Sequence, residues 1–378
     1  MTEKTTLPKG LEWWPDTGQW VVRTHELADI ALRDPHIGMS LDPDRSSVPL
    51  PAANDIPTIE QFFELWYRRG ANHPEFGLEL RRAYTAAALR PFASRFDAIA
   101  ADLRRGLPAF GDLVPTFITP YGLRSTFDLM GFAEPSRPAL TKAYHVLMFV
   151  LRQRFRGVLA LPEKHLAAFA AALRCLRAAL AEPRPTPLMA ALRRYAETHD
   201  TSAWADVATI AQLLAAGVPQ IGTGIGVSVR ALFGDRELLA RVKAGEFDIE
   251  QVAEEAMRLV PPFLVVAGWV TEPCDCLGVH LDPRTPVLVD IPAVNTDPTR
   301  VERPLDFCPA RGRADNITFG KGTHYCLGAT SARIQVCAAL RGLLDLDPMV
   351  DPAAVRIDYD GFSQSVRSLP FTTTGRLI

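Results

Sequence analysis

The chain has 378 residues, of which 48% are hydrophobic, and a formal net charge of −2. That is enough apolar material for a sizeable core, in one large domain or two small ones. The near balance of charge excludes a general attraction to nucleic acid or to anionic membrane surfaces.

Met1 to Gly10 is polar and lacks the apolar core of a secretory leader. Trp20-Val21-Val22 reads as a short strand, and Thr24 followed by Leu27, Ile30, Ala31 and Leu32 opens a helix that must stop before Pro35. Ile37 to Pro57 is rich in Pro, Asp and Ser and reads as a loop. Apolar residues at helical spacing then dominate from Ile59 to Arg105, Ser136 to Ala181, Pro187 to His199 and Trp204 to Phe233. The richest apolar stretch, His165 to Ala181, is broken by Arg174 and Arg177 and reads as an amphipathic helix, and no apolar run of about 18 residues suggests a membrane span. These features predict a soluble, cytoplasmic protein. From Phe263 to Val289 the pattern changes, with Val265-Val266, Trp269-Val270 and Val287-Leu288-Val289 separated by turn residues, which predicts strands. No repeat, low-complexity tract or linker divides the chain. The expectation is a single domain over residues 1–378, mainly α with a minor β region.

Six cysteines in so long a chain form no disulfide framework. Cys274 and Cys276, near His280, present only three candidate zinc ligands, and the Cys-Asp-Cys spacing more simply places both side chains on one face of a strand. Cys175 and Cys337 fall on apolar helix faces and read as core.

Cys326 has a different setting. It closes the run Phe319-Gly320-Lys321-Gly322-Thr323-His324-Tyr325-Cys326-Leu327-Gly328, and a helical pattern follows from Ala329 to Leu344. A cysteine at a helix start meets unpaired backbone N–H groups and the positive end of the helix dipole, which favour the deprotonated sulfur that a metal needs. The glycines allow sharp turns and close approach to a flat macrocycle.

This run resembles the heme-binding signature of the cytochrome P-450 family, Phe-Gly-x-Gly-x-His-x-Cys-x-Gly, with every fixed position matched. The resemblance implies heme b as cofactor and Cys326 as its axial thiolate, pushing electron density toward iron. Phe319, Gly320, Gly322, Leu327 and Gly328 would frame the macrocycle, and His324 would hold a propionate. It implies the family's mainly helical fold and an oxidation of an organic substrate, natural product or small peptide, by hydroxylation or aromatic cross-linking. Electrons would come from a ferredoxin and its reductase, since no flavin or nicotinamide fingerprint is present. Arg81, Arg82, Arg311, Arg313, Lys321 and Arg333 come from segments the family places on the cysteine side, where they would form a basic patch for an acidic ferredoxin or merely solvate the surface.

A second match is Glu255-Ala256-Met257-Arg258 before Pro261-Pro262. Glu and Arg three apart share a helix face, and the family uses such a pair as a buried lock under the cysteine loop. The family's third partner, an arginine, would fall where this chain has Asp306, so either Arg303 or Arg311 substitutes or the lock is a simple pair. Heme anchoring also departs. The early helix keeps Arg81 and Arg82 but lacks the family's histidine, for which His73 is a distant candidate, and the strand arginine after Pro-Pro becomes Gly268.

The distal helix departs further. Where the family carries Ala-Gly-x-Asp/Glu-Thr, this chain has Ala216-Gly217-Val218-Pro219-Gln220. Pro219 lacks an N–H and crowds the carbonyl of Ala215, which predicts a kink, and the Gln220 amide does not titrate near neutral pH. Protons would then come through water held by Gln220 and opened helix carbonyls, or from the substrate, or peroxide would replace dioxygen. A non-catalytic heme protein that recruits a partner or senses a gas is the alternative reading. Gly222, Gly224 and Gly226 serve close helix packing or leave room for substrate, packing being the default. Phe263, Leu264, Val265, Val266 and the space left at Gly268 are the expected substrate pocket.

Overall fold

A computed structural model describes residues 7–38, 48–52, 55–69, 74–158, 160–199, 203–313, 316–322 and 325–373. In chain order these form β1 (Leu11–Trp14), β2 (Gln19–Val22), α1 (His25–Ala31), β3 (Ile37–Gly38), α2 (Ile59–Arg69), α3 (Pro74–Ala83), α4 (Ala86–Arg105) and β4 (Phe110–Asp112). A π-helical turn at Val114–Ile118 leads into α5 (Thr119–Leu129), followed by α6 (Arg137–Phe155), α7 (Glu163–Ala181), α8 (Pro187–Thr198) and α9 (Ala203–Gly234). The chain continues through α10 (Arg236–Lys243), α11 (Ile249–Leu259), β5 (Val265–Val270), β6 (Pro286–Asp290), α12 (Ile291–Asn295) and α13 (Ala329–Leu344). It closes with β7 (Pro348–Val350), β8 (Arg356–Tyr359), β9 (Gln364–Ser368) and β10 (Pro370–Thr373).

The mainly helical reading with a minor strand region holds. The helical pattern from Ile59 to Arg105 divides into three helices, and Thr85 separates the last two by accepting a bond from the Ala88 N–H in the first turn of α4. Near-full apolarity sends α9 through the core. Trp204, Ile210, Leu214, Ile225 and Leu232 are buried along its length, and α2, α5, α7, α11 and α13 pack around it. By length and composition Trp204–Gly234 could cross a membrane, although the sequence showed no wholly apolar run of that length. With 61% of its apolar window buried inside the fold, it is a core helix.

The glycines of α9 serve that packing. A Cβ on Gly226 would lie 2.8 Å from Val366 of β9, and one on Gly224 would lie 3.1 Å from the Met257 sulfur of α11.

The main sheet has the order β1-β2-β6-β5-β3, with β2 parallel to β6 and the other pairs antiparallel. Two smaller sheets, β4-β10-β7 and the β8-β9 hairpin, were not expected. Each of their strands has only three to five residues, too short for a pattern of two to stand out.

Candidate heme site

The cysteine loop is a tight backbone structure before it is a chemical site. The Gly320 N–H donates to the Ile317 carbonyl at 2.8 Å, and the Cys326 N–H donates to Phe319 at 2.7 Å, closing the loop on itself. Gly320 and Gly322 adopt φ of 72° and 62°, the left-handed region that favours glycine. At Gly322 a Cβ would also meet the Leu32 carbonyl at 2.7 Å. Thr323 and His324 lie outside the described residues, so the propionate role of His324 remains an expectation.

The loop delivers Cys326 to the start of α13. Burial prevails and pushes its thiol up, against the backbone N–H groups of Gly328 and Ala329 and the charge of Arg333, which favour the anion. Yet Cys326 also has an exposed surface. Protein surrounds the sulfur while part of the residue stays open. Ala216 on α9 behaves alike, exposed while Leu214 and Val218 beside it are buried, so the long helix leaves a gap at the position set over the macrocycle by the resemblance. A sulfur with two N–H groups and a guanidinium arranged for its anionic form, facing open space, fits an axial ligand of heme iron.

Beneath the loop, Glu255 and Arg258 are each 1% exposed and make a two-pronged ion pair at 2.7 and 2.8 Å. Arg258 also donates to the carbonyls of Asn295 at 2.9 Å, Pro304 at 2.8 Å and Asp306 at 3.3 Å. Of the two candidate third partners, Arg311 takes the place: its Nε lies 3.2 Å from Glu255 and its other nitrogens donate to the carbonyls of Glu302 and Arg303. Arg303 points elsewhere, 69% exposed and 3.6 Å from Asp306. Asn295, fully buried and not foreseen, ties this lock to the loop. Its amide donates to the Arg258 carbonyl and the Thr318 hydroxyl, and its oxygen accepts from the Ile317 N–H. Its place at the end of α12, before Thr296-Asp297-Pro298, was its only sequence signal.

A second set of contacts surrounds Cys326. Arg333 of α13 pairs with buried Glu254 of α11, lies 4.3 Å over the Phe319 ring and donates to the Tyr325 hydroxyl at 2.9 Å. Near the end of α3, burial and the charge of Cys326 both push the Tyr84 phenol up, which sets that end of α3 on the cysteine side. Of the two propionate candidates there, Arg82 pairs with Glu79, which also binds Arg194 of α8 at 2.9 Å. Arg81 is exposed with no acidic partner among the described residues. The other proposed patch cations are also paired: Arg313 with Glu250, Lys321 with Asp29 at 3.6 Å, Arg311 with Glu255 and Arg333 with Glu254.

On the distal side α9 stays helical through Pro219. The Gln220 Oε1 is buried without a hydrogen-bond partner. One turn on, the buried Thr223 hydroxyl lies 3.0 Å from both the Pro219 and Gln364 carbonyls and shares its one proton between them. Gln364 in turn donates to the Pro261 carbonyl at 2.6 Å, and the Leu264 N–H donates to Phe362 at 2.8 Å. The tip of the β8-β9 hairpin therefore joins α9 to Phe263 and Leu264, a contribution that the sequence reading missed. Phe263 is exposed, and Leu264, Val265 and Val266 are half-buried, as wall residues would be. Gly268 corrects the expectation of free space. A Cβ there would lie 2.8 Å from Ile37 and 3.2 Å from the Gly38 carbonyl, so β3 occupies the room an arginine would need. A cavity of about 540 Å³ lies on another side of Leu264, lined by Arg230, Pro261, Ile357, Tyr359 and Gln364; neither Cys326 nor Ala216 borders it.

The helical body, small sheets and cysteine at the start of α13 define a heme-thiolate fold. No family model matches the chain. It is 26% identical over 356 residues, 90% of its own length and 85% of the relative's, to 6-deoxyerythronolide B hydroxylase of Saccharopolyspora erythraea. It is 30% identical over 176 residues to 2-hydroxy-5-methyl-1-naphthoate 7-hydroxylase of Streptomyces carzinostaticus, a match spanning 45% of this chain and 43% of that enzyme. Its fold superposes on epothilone D-bound cytochrome P-450epoK with a TM-score of 0.82 at 17% identity, covering 97% of this chain and 94% of the other. Over most of its length the chain is similar to heme-binding monooxygenases of the cytochrome P-450 superfamily.

Proposed function

We propose that this chain, acting as one domain, hydroxylates an extended, weakly polar natural product held between α9, the Phe263–Val266 segment and the β8-β9 tip. The reading also includes protons supplied through bound water. The heme, when bound through Cys326, supplies the oxidising chemistry. The chain's own residues hold the sulfur, exclude bulk water and organise the proton path.

The observation that carries this reading is the buried, partnerless Gln220 Oε1 beside Pro219. Pro219 offers no N–H to the Ala215 carbonyl. The Ala215 carbonyl and the Gln220 oxygen are both acceptors on this stretch of α9, and bound water donating to them would satisfy them while keeping its lone pairs for a third group. An acid–alcohol pair would move a proton by titration; this arrangement moves one only along water. The relatives named as hydroxylases of 6-deoxyerythronolide B and of 2-hydroxy-5-methyl-1-naphthoate support an oxygenated organic natural product as the substrate class. A ferredoxin with its reductase is the proposed electron source. Because the basic residues nearest the loop are paired with acids, its docking would rest on shape and apolar contact as much as on charge.

The test is the Pro219→Glu, Gln220→Thr double variant, supplied with a plant-type ferredoxin and its reductase. The fraction of consumed electrons that leaves as hydrogen peroxide should fall several-fold. An unchanged fraction would show that the Pro-Gln pair does not govern proton delivery.

A further inference from the structure

The turn between β5 and β6 carries a feature unrelated to heme. Cys274 and Leu281 exchange backbone hydrogen bonds at 3.2 and 2.9 Å, pinning the two arms of the turn. Gly278, at φ 76°, donates to the Asp275 carbonyl at 3.0 Å and folds the tip back. The result brings the Cys274 and Cys276 sulfurs to 3.2 Å, both side chains half-buried against the small core that contains Leu277 and Leu281. A metal is not the natural occupant of this pair. Among the described residues no group of three or more His, Cys, Asp or Glu side chains is arranged for one. His280, five residues from Asp275, is 63% exposed and engaged by Asp275 at 2.9 Å and Asp282 at 3.6 Å.

We propose that Cys274 and Cys276 are a redox-active dithiol, closed to an intrachain disulfide by exchange with a low-molecular-weight disulfide such as oxidised glutathione. In the first step the Cys274 sulfur loses its proton and attacks one glutathione sulfur. The glutathione S–S bond breaks, a mixed disulfide forms at Cys274, and one glutathione leaves as thiolate and takes up a proton. In the second, the Cys276 sulfur attacks Cys274, its proton passes to the departing sulfur, and a second reduced glutathione is released. Two thiols are oxidised by two electrons and one glutathione disulfide is reduced by two. Burial, the neighbouring Cys274 and the charge of Asp34 push the Cys276 thiol up. A disulfide is about 2.05 Å long. Closing the pair therefore needs only a small movement of side chains already in contact, whereas a ring spanning one residue is constrained enough to reopen readily, as regulatory disulfides do.

The test uses the heme-loaded full chain equilibrated in buffers of varied oxidised-to-reduced glutathione ratio, quenched by alkylation, digested and weighed. The Cys274–Cys276 peptide should lose two hydrogens cooperatively as the ratio rises, without a stable glutathione adduct, and regain them with dithiothreitol. Cys276→Ser should instead accumulate glutathione on Cys274. Cys175, Cys308 and Cys337 should remain open to alkylation under denaturing quench. If both thiols are alkylated across the whole range, or if the wild-type chain keeps a mixed disulfide at Cys274, the proposal is wrong.

Discussion

The two sides of the heme site are built in opposite ways. Under the cysteine loop the polar groups described are densely partnered: Glu255 serves Arg258, Arg311 and the Cys308 N–H, and Asn295 binds both the lock and the loop. On α9, Pro219 withholds a donor and Gln220 buries an oxygen with nothing to accept. Buried polar groups that satisfy one another make a rigid support, whereas groups left open in the fold await a water or a ligand. The proximal side holds a sulfur still, and the distal side leaves valences for whatever moves through it.

That contrast can be broken by mutation. The largest stability effect should come from Arg258→Met, which takes from buried Glu255 its two-pronged partner and leaves three backbone carbonyls without that donor; a loss of about 3–5 kcal/mol is expected from urea unfolding. Next is Arg333→Leu, which takes from Glu254 a charged partner whose hydrogen bond is of the order of 1.5–3 kcal/mol. It also removes a positive charge that helps hold the Cys326 sulfur anionic, so the reduction potential of the loaded protein should fall, and Arg333→Lys should recover most of it. Smallest should be Gln220→Leu, which removes an oxygen with no protein partner and should stay within about 1 kcal/mol of the parent. A loss at Gln220 as large as that at Arg258 would mean the distal side is structural after all.

The same contrast explains what the sequence made legible. The cysteine loop was readable because its chemistry is local: ten consecutive residues contain the turns, the sulfur and the helix start. The Glu255–Arg258 pair was readable from its spacing, but the choice between Arg303 and Arg311 was not. It depends on the path of the chain after α12, where Arg303 takes a positive φ and turns outward. Asn295 and Thr223 were invisible because each acts through partners far along the chain, Asn295 on Ile317 and Thr223 on Gln364. Gly268 misled for a related reason. An absent side chain suggests space only until a remote segment, here Ile37 and Gly38, is known to fill it. The long helices followed their apolar periodicity, but α5 and α10 were not read from it, and the short strands from Pro348 onward depend on pairing partners that periodicity does not reveal.

The account turns on the sulfur of Cys326, and the carbon monoxide spectrum of the reduced, heme-loaded protein tests it most directly. The parent chain should give a thiolate-type absorption, and Cys326→Ser should lose that absorption while its far-ultraviolet circular dichroism keeps the helical fold. A Cys326→Ser protein that retains the thiolate-type spectrum would contradict the assignment.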